Sequence, residues 1–307
     1  MENIQNKKKD INSTKELLER LDISNSILSL EQKTSLHENG YIVFPPNEFM
    51  RNNLARLNKA SEQLIRTEGD KGGWEGKKKY YKKGKKFEEG ADRLGNLIEK
   101  DEIFAGLIEQ KEILASAYEI IKDDIKIVAV HLRNPLKNCG YQRIHIDGYP
   151  RYNDNDPYLG IICMIYLDDA KISNGALRIV PGSHKKLGWP NEHTDIYKLN
   201  KNELSIEVEA GSILVGNLNL WHGGGNNSTG LPRKMIMINI KNRKEPQLLN
   251  FKKFLSEETK QKLNIYQKYL LAVRDKDPYQ KEDSAGGANF LYRQRYGNKS
   301  HKKVEIE

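Results

Sequence analysis

A run of strand-like segments restricts this chain more than any other feature. Segments 125–132, 158–167, 205–208, 212–215 and 234–240 are rich in Ile, Val and Tyr, and clusters of Gly and Asn separate them. Strands grouped in this way, not alternating with helices, predict a mostly antiparallel sheet. Helical patterns flank the block. Ser13-x-x-Glu16 precedes Leu17, Leu18 and Leu21, and Ser29-x-x-Gln32 opens a second capping box that would stop at Gly40. The short apolar run 41–44, closed by Pro45 and Pro46, reads as a strand. Met50, Leu54, Leu57, Leu64 and Ile65 then fall near helical spacing, and helical patterning resumes over 91–121. Beyond Glu245, Phe251, Phe254, Leu255, Leu263, Tyr266, Tyr269 and Leu270 predict more helix. The order helices, strands, helix gives one α+β domain over residues 13–274, its strand-rich core at about 125–245. Residues 1–12 and the charged tail 275–307 are expected to be loose.

Composition excludes several classes. The longest apolar run, 159–167, falls short of the roughly 20 residues that span a bilayer, so no membrane role is expected. The polar N-terminus does not read as a secretory signal. Two cysteines, Cys139 and Cys163, leave no disulfide framework and no all-cysteine zinc site. These features predict a soluble protein of a reducing, cytoplasmic compartment. The net charge of +9 implies attraction to anions and says nothing about fold.

Four residues carry the chemistry. His145 and Asp147 are two apart, and on a strand such residues share a face. They are placed to chelate one cation. His222, before Gly223-Gly224-Gly225, is the best third ligand, at a strand end beside a turn. His145 alone reads better as a satisfied core histidine. Together, two imidazoles and one carboxylate form the facial set of non-haem Fe(II) oxygenases. Arg233 follows a turn-rich stretch after His222 and can return to the same place. A buried guanidinium there would grip a carboxylate in bidentate fashion. A cosubstrate that chelates iron at one end and presents a carboxylate at the other fits, and 2-oxoglutarate has that shape.

These residues resemble the phytanoyl-CoA dioxygenase family of Fe(II)/2-oxoglutarate oxygenases. Gln142-Arg143-Ile144-His145-Ile146-Asp147 is similar to the family's Gln-x-x-His-x-Asp. Asn174-Gly175-Ala176-Leu177 and Pro181-Gly182-Ser183-His184 match its next motif, Ala210-Gly211-Ser212 precedes the distal strand, and His222 and Arg233 stand at the family's spacing. Leu30-Glu31-Gln32, His37 and Gly40-Tyr41-Ile42-Val43 resemble its N-terminal opening, so the likeness covers about 28–245. The resemblance implies a double-stranded β-helix, a cupin-like jelly-roll, flanked by N- and C-terminal helices. It implies Fe(II) on His145, Asp147 and His222, with Arg233 on the distal carboxylate of 2-oxoglutarate. It brings Arg133, Asn134 and Gln142 forward as further cosubstrate contacts. The implied reaction consumes O2 and hydroxylates an unactivated C–H bond of a small molecule, releasing succinate and CO2. Asp147 fills the position that halogenating relatives leave open for chloride. Two departures stand out: Gly216-Asn217 where the family often has Gly-Asp, and Gly224 where some members carry a serine that bonds the cosubstrate.

Other residues have plainer readings. His184 orders its loop, since a facial set needs no fourth ligand. His131 lines the pocket or fills core, with core preferred, and Cys163 is a small buried hydrophobe. Seven lysines crowd 77–86 around Tyr80 and Tyr81, within a glycine-rich loop at 69–90. That loop reads as a solvated segment, as an anion-attracting lid, or as a nucleic-acid contact. No recognisable nucleic-acid motif accompanies it, so a small molecule is the expected partner, and the positive charge suits an anionic one. A basic binding protein on the same barrel without catalysis, and a nucleic-acid-modifying oxygenase, are the alternatives.

Overall fold

The computed structural model describes residues 10–24, 26–75 and 81–275. The expectations for residues 1–9, for 77–80 of the lysine run and for the tail from 276 lie outside them. Two antiparallel sheets form the centre. The larger runs β1-β7-β4-β9-β3-β2 and the smaller β6-β5-β8. The strands are β1 (Tyr41–Phe44), β2 (Ala91–Leu94), β3 (Ile125–Pro135), β4 (Gly160–Tyr166), β5 (Leu177–Val180), β6 (Leu204–Ile206), β7 (Ile213–Asn217), β8 (Trp221–Gly224) and β9 (Met235–Asn242). Helices α1 (Thr14–Arg20), α2 (Leu30–Glu38), α3 (Glu48–Glu68) and α4 (Lys111–Ile121) come before the core. Short helices α5 (Phe251–Phe254), α6 (Glu257–Lys262) and α7 (Ile265–Leu270) follow it.

Side-chain alternation assigns each face of the larger sheet a job. Ile161, Cys163 and Ile165 of β4 and Ile236, Ile238 and Ile240 of β9 join the helices in the main core. Ile162, Met164, Tyr166, Met235 and Met237 point the other way and meet Leu177 and Ile179 of the smaller sheet. A bulge between Ile127 and Ala129 shifts the register of β3 on β9. The extra residue keeps both Ile125–Ile127 and Val130–Leu132 on the helix side of the strand.

The helix ends follow their sequence signals. Ser13 Oγ accepts from Glu16 N, and Ser29 with Gln32 forms the reciprocal capping box. Three expectations change. Ile11 is buried in the core and Arg274 donates to its carbonyl at 2.7 Å, so looseness does not extend to it. Residues 91–121 are not one helix: Ala91–Leu94 pairs with β3, two 3-10 stretches follow, and only Lys111–Ile121 is α-helical. Strand pairing against β3 overrides the local propensity there. The region after Glu245 breaks into three short helices, each capped by an Asn or Ser.

Candidate metal and carboxylate site

His145 does not lie on a regular strand. It forms one antiparallel bridge with His222 of β8, His145 N to His222 O at 2.9 Å and His222 N to His145 O at 3.0 Å. Bridged residues share a face, and the two rings stand 4.4 Å apart. Past the bridge, the amides of Asp147 and Gly148 both donate to Leu218 O, at 3.0 and 2.9 Å. This bend, not strand periodicity, brings the Asp147 carboxylate to both rings. Its Oδ1 is 3.8 Å from His145 Nε2 and its Oδ2 is 3.5 Å from His222 Nε2. Each histidine turns Nδ1 to the carbonyl two residues earlier, Arg143 O and Leu220 O, both at 2.9 Å. That hydrogen bond assigns the ring proton to Nδ1 and leaves the Nε2 lone pair facing inward. The three donor atoms lie within 4.8 Å of one another, so the set fits a single ion. Asp147 keeps one side toward solvent, where further ligands can enter.

The electrostatics describe a site that attracts a cation. Enclosure alone would raise the Asp147 carboxyl, but His222 and His145 beside it hold it well below the usual carboxylate range. Burial, with His222 alongside, lowers His145 to about 4. Burial also opposes charge on His222, yet the Asp147 carboxylate outweighs it and raises that ring above its ordinary value.

Arg233 enters β9 from the turn after β8 and is only 1% exposed. Its amide donates to Asn134 Oδ1 at 3.0 Å. Its Nε and Nη2 have no hydrogen-bond partner, and neither has the hydroxyl of buried Tyr166 on β4. Tyr166 is registered opposite Met235. Burial lowers the guanidinium to about 10, with Tyr166 partly opposing. A buried charge left without an acceptor is costly, so the pair calls for an anion.

The other three cosubstrate candidates are engaged elsewhere. Arg133 makes a fork to Glu88, Nη2 to Oε1 at 2.7 Å and Nε to Oε2 at 3.2 Å. Asn134 donates to Asp92 at 3.0 Å and holds the Arg233 backbone. Gln142 clamps β8: its amide donates to Gly224 O at 3.0 Å and its Oε1 accepts from Gly224 N at 3.2 Å. These contacts tie Asn134 to the Arg233 backbone and Gln142 to β8. Gly224 has no room for the serine of some relatives, because a Cβ there would lie 2.7 Å from Gly140 O and 3.0 Å from Gln142 Oε1. His131 is half-buried with its Nδ1 enclosed and unpartnered, and burial, with Arg93 nearby, lowers it to about 4 against the pull of Asp147. His184 is buried against Gly40, its Nε2 3.2 Å from His37 O, outside the donor set. Two further polar residues here were not among the sequence candidates: Tyr166, whose only signal is a phenol in an otherwise apolar β4, and Glu88, which carries none.

The sequence profile of the phytanoyl-CoA dioxygenase (PhyH) family matches residues 36–235. The chain belongs to the phytanoyl-CoA dioxygenase family. Among curated relatives, "Iron/alpha-ketoglutarate-dependent dioxygenase ausU" of Aspergillus calidoustus is 26% identical over 168 residues, 51% of this chain and 54% of the relative. "Uncharacterized protein Rv1501" of Mycobacterium tuberculosis is 36% identical over 73 residues, 24% of this chain. The chain spans about half the length of the first and 25% of the second. HygX from Streptomyces hygroscopicus, solved with nickel, 2-oxoglutarate and hygromycin B bound, superposes with a TM-score of 0.56 at 16% identity, over 73% of this chain and 92% of that one. The epimerase SnoN, solved with Fe3+, alpha ketoglutarate and nogalamycin RO, gives 0.53 at 16% identity over 69% and 82%. At this identity the likeness is one of fold.

Proposed function

We propose that this PhyH-family chain is an Fe(II)- and 2-oxoglutarate-dependent dioxygenase that hydroxylates a small molecule. The observation that carries it is a convergent His145, Asp147 and His222 set together with a buried, acceptorless Arg233. We read the facing sheets as a double-stranded β-helix with the site between them. His145 Nε2, His222 Nε2 and one Asp147 oxygen would hold Fe(II) on one face. Arg233 and the Tyr166 hydroxyl would bind the distal carboxylate of 2-oxoglutarate. When bound, Fe(II) supplies the redox chemistry by which O2 oxidises 2-oxoglutarate to succinate and CO2 and places the second oxygen atom on the substrate.

The chain's own groups orient and select. The Nδ1 hydrogen bonds fix both imidazoles as neutral donors at neutral pH once the ion replaces the proton on His222. Met164, Met235 and Met237 line an apolar wall that excludes water beside the polar groups. Asp147 occupies the position a halide would need, which favours oxygen transfer. The bound ligands named for HygX and SnoN support a small organic substrate. Among the described residues no helix is long and apolar enough to cross a membrane. Free Cys139 and Cys163 suit a reducing, cytoplasmic setting. The test is anaerobic titration of Fe(II) and then 2-oxoglutarate, followed by admission of oxygen. One ion bound per chain and oxygen-dependent succinate release are expected. Binding of neither would sink the reading, and binding without succinate would make the chain a non-catalytic binder.

A further inference from the structure

A second polar centre borders the site. Arg93 on β2 and Arg133 on β3 are registered directly opposite one another, and such partners project from the same face. Two guanidiniums side by side repel, and Arg133 is only 3% exposed. One carboxylate holds both. Glu88, from the connection between α3 and β2, takes the Arg133 fork on its two oxygens, Nη2 at 2.7 Å and Nε at 3.2 Å, and Arg93 Nε at 2.8 Å. Burial would raise the Glu88 carboxyl, but the two guanidiniums pull it below its ordinary value. A second carboxylate, Glu75, also acts on Arg93, so the centre as a whole carries little net charge.

This centre faces the donor set. Gly224 follows His222 by two residues on β8 and shares its face, and a Cβ built on it would lie 3.3 Å from Arg133 Nη1. His131 precedes Arg133 by two on β3 and feels both Arg93 and the Asp147 carboxylate. The arginines are fixed on paired strands, whereas their acceptor comes from a connecting segment. Glu88 retains 28% side-chain exposure against 4% for Arg133, so water already reaches the carboxylate.

We propose that Arg93 and Arg133 form the recognition site for a carboxylate of the primary substrate, and that Glu88 occupies this site when substrate is absent. The proposal rests on the dioxygenase reading only in calling the incoming acid the substrate. A carboxylate fits because the planar fork already accepts one in bidentate fashion. One carboxylate replaces another, so the charge at the arginine pair is unchanged, and Glu88 turns to water. An uncharged molecule cannot make this exchange.

The experiment uses the full-length, metal-free protein with 13C-acetate as the probe and NMR line broadening as the readout. Glu88→Ala empties the site, and Glu88→Gln keeps the volume but removes the charge. Glu88→Ala should bind acetate about tenfold or more tightly than wild type, the scale of a charge-assisted hydrogen bond. Glu88→Gln should show a smaller gain, and methyl acetate none. The gain should vanish in Glu88→Ala/Arg133→Gln and in Glu88→Ala/Arg93→Gln. Circular dichroism identifies any variant that fails to fold, and the isosteric Glu88→Gln then carries the test. No gain in either single variant, or a gain that survives loss of the arginines, overturns the proposal. Tighter binding of inorganic phosphate than of acetate overturns the carboxylate assignment. Fe(II) and 2-oxoglutarate titrated on separate aliquots report on the dioxygenase reading, so failure of one does not obscure the other.

Discussion

The two faces of the six-stranded sheet are built from the same strands and differ in almost every property. Toward the helices, β3, β4 and β9 present Ile125, Ile127, Val130, Leu132, Ile161, Cys163, Ile165, Ile236, Ile238 and Ile240, all buried and apolar. Toward the smaller sheet, the alternate positions carry His131, Arg133, Tyr166, Met235, Met237 and Asn239. His131, Tyr166 and Asn239 on that side each hold a polar atom without a partner. The helix-facing side supplies stability and the inner side spends some of it on groups aimed at a ligand. A one-residue slip in register would exchange the two sets, so the helix-facing core also fixes where the chemistry points.

The largest effect expected is on the inner side. His145→Ala, Asp147→Ala and His222→Ala should each reduce oxygen-dependent succinate release below detection and abolish tight metal binding, while denaturant midpoints change little. A variant that kept wild-type metal content would remove that residue from the donor set. The opposite pattern is expected from Ile238→Ala on the helix-facing side, which should cost about 2–5 kcal/mol of stability. Its 2-oxoglutarate affinity, measured where the protein is still folded, should stay near wild type. Loss of both together would mean that the faces are not separable.

Arg233→Lys tests the carboxylate end. The ammonium keeps the charge and loses the fork, so 2-oxoglutarate should bind roughly ten- to a hundred-fold more weakly, with metal affinity unchanged. Acid should weaken metal binding through His222. Its ring is raised by Asp147, so protons compete with the ion from somewhat above the ordinary histidine range, up to about tenfold in affinity per pH unit. Calorimetry across pH 5 to 8 checks this, and a flat profile would contradict the His222–Asp147 coupling. Tyr166→Phe gives the smallest change. It removes a buried hydroxyl with no partner, so metal-free stability should hold or rise slightly, while 2-oxoglutarate binding weakens by about 0.5–1.5 kcal/mol. A loss of stability would show that the hydroxyl is satisfied within the protein.

The sequence exposed the helix-facing side better than the inner one. Runs of Ile and Val identify strands because burial on the core face requires them, and the boundaries of β3, β4, β7 and β9 fall within a few residues of the expected ones. Strands β5 and β8, four residues each, are too short to show a period. His145, Asp147, His222 and Arg233 were legible as a constellation of residue types. How they meet was not, because a single bridge and a bend, not a strand, align His145 with Asp147. Arg133 looked like a cosubstrate contact, and its ion pair with Glu88 depends on a connection whose path no local pattern encodes.

The glycines after His222 bear on how this protein can be altered. A side chain at Gly223 would meet Gln142 O at 2.6 Å, and one at Gly225 would meet Ala176 O at 2.7 Å, as tight as the contacts at Gly224. The nearest obstacle at each of the three positions is a backbone carbonyl, which cannot rotate aside. A mutant library randomised at these positions would return misfolded protein and no new selectivity, although they adjoin the donor set. If the recognition site proposed above holds, diversity aimed at a different substrate belongs on Glu88, Arg93 and Arg133, which meet one another through exchangeable side chains.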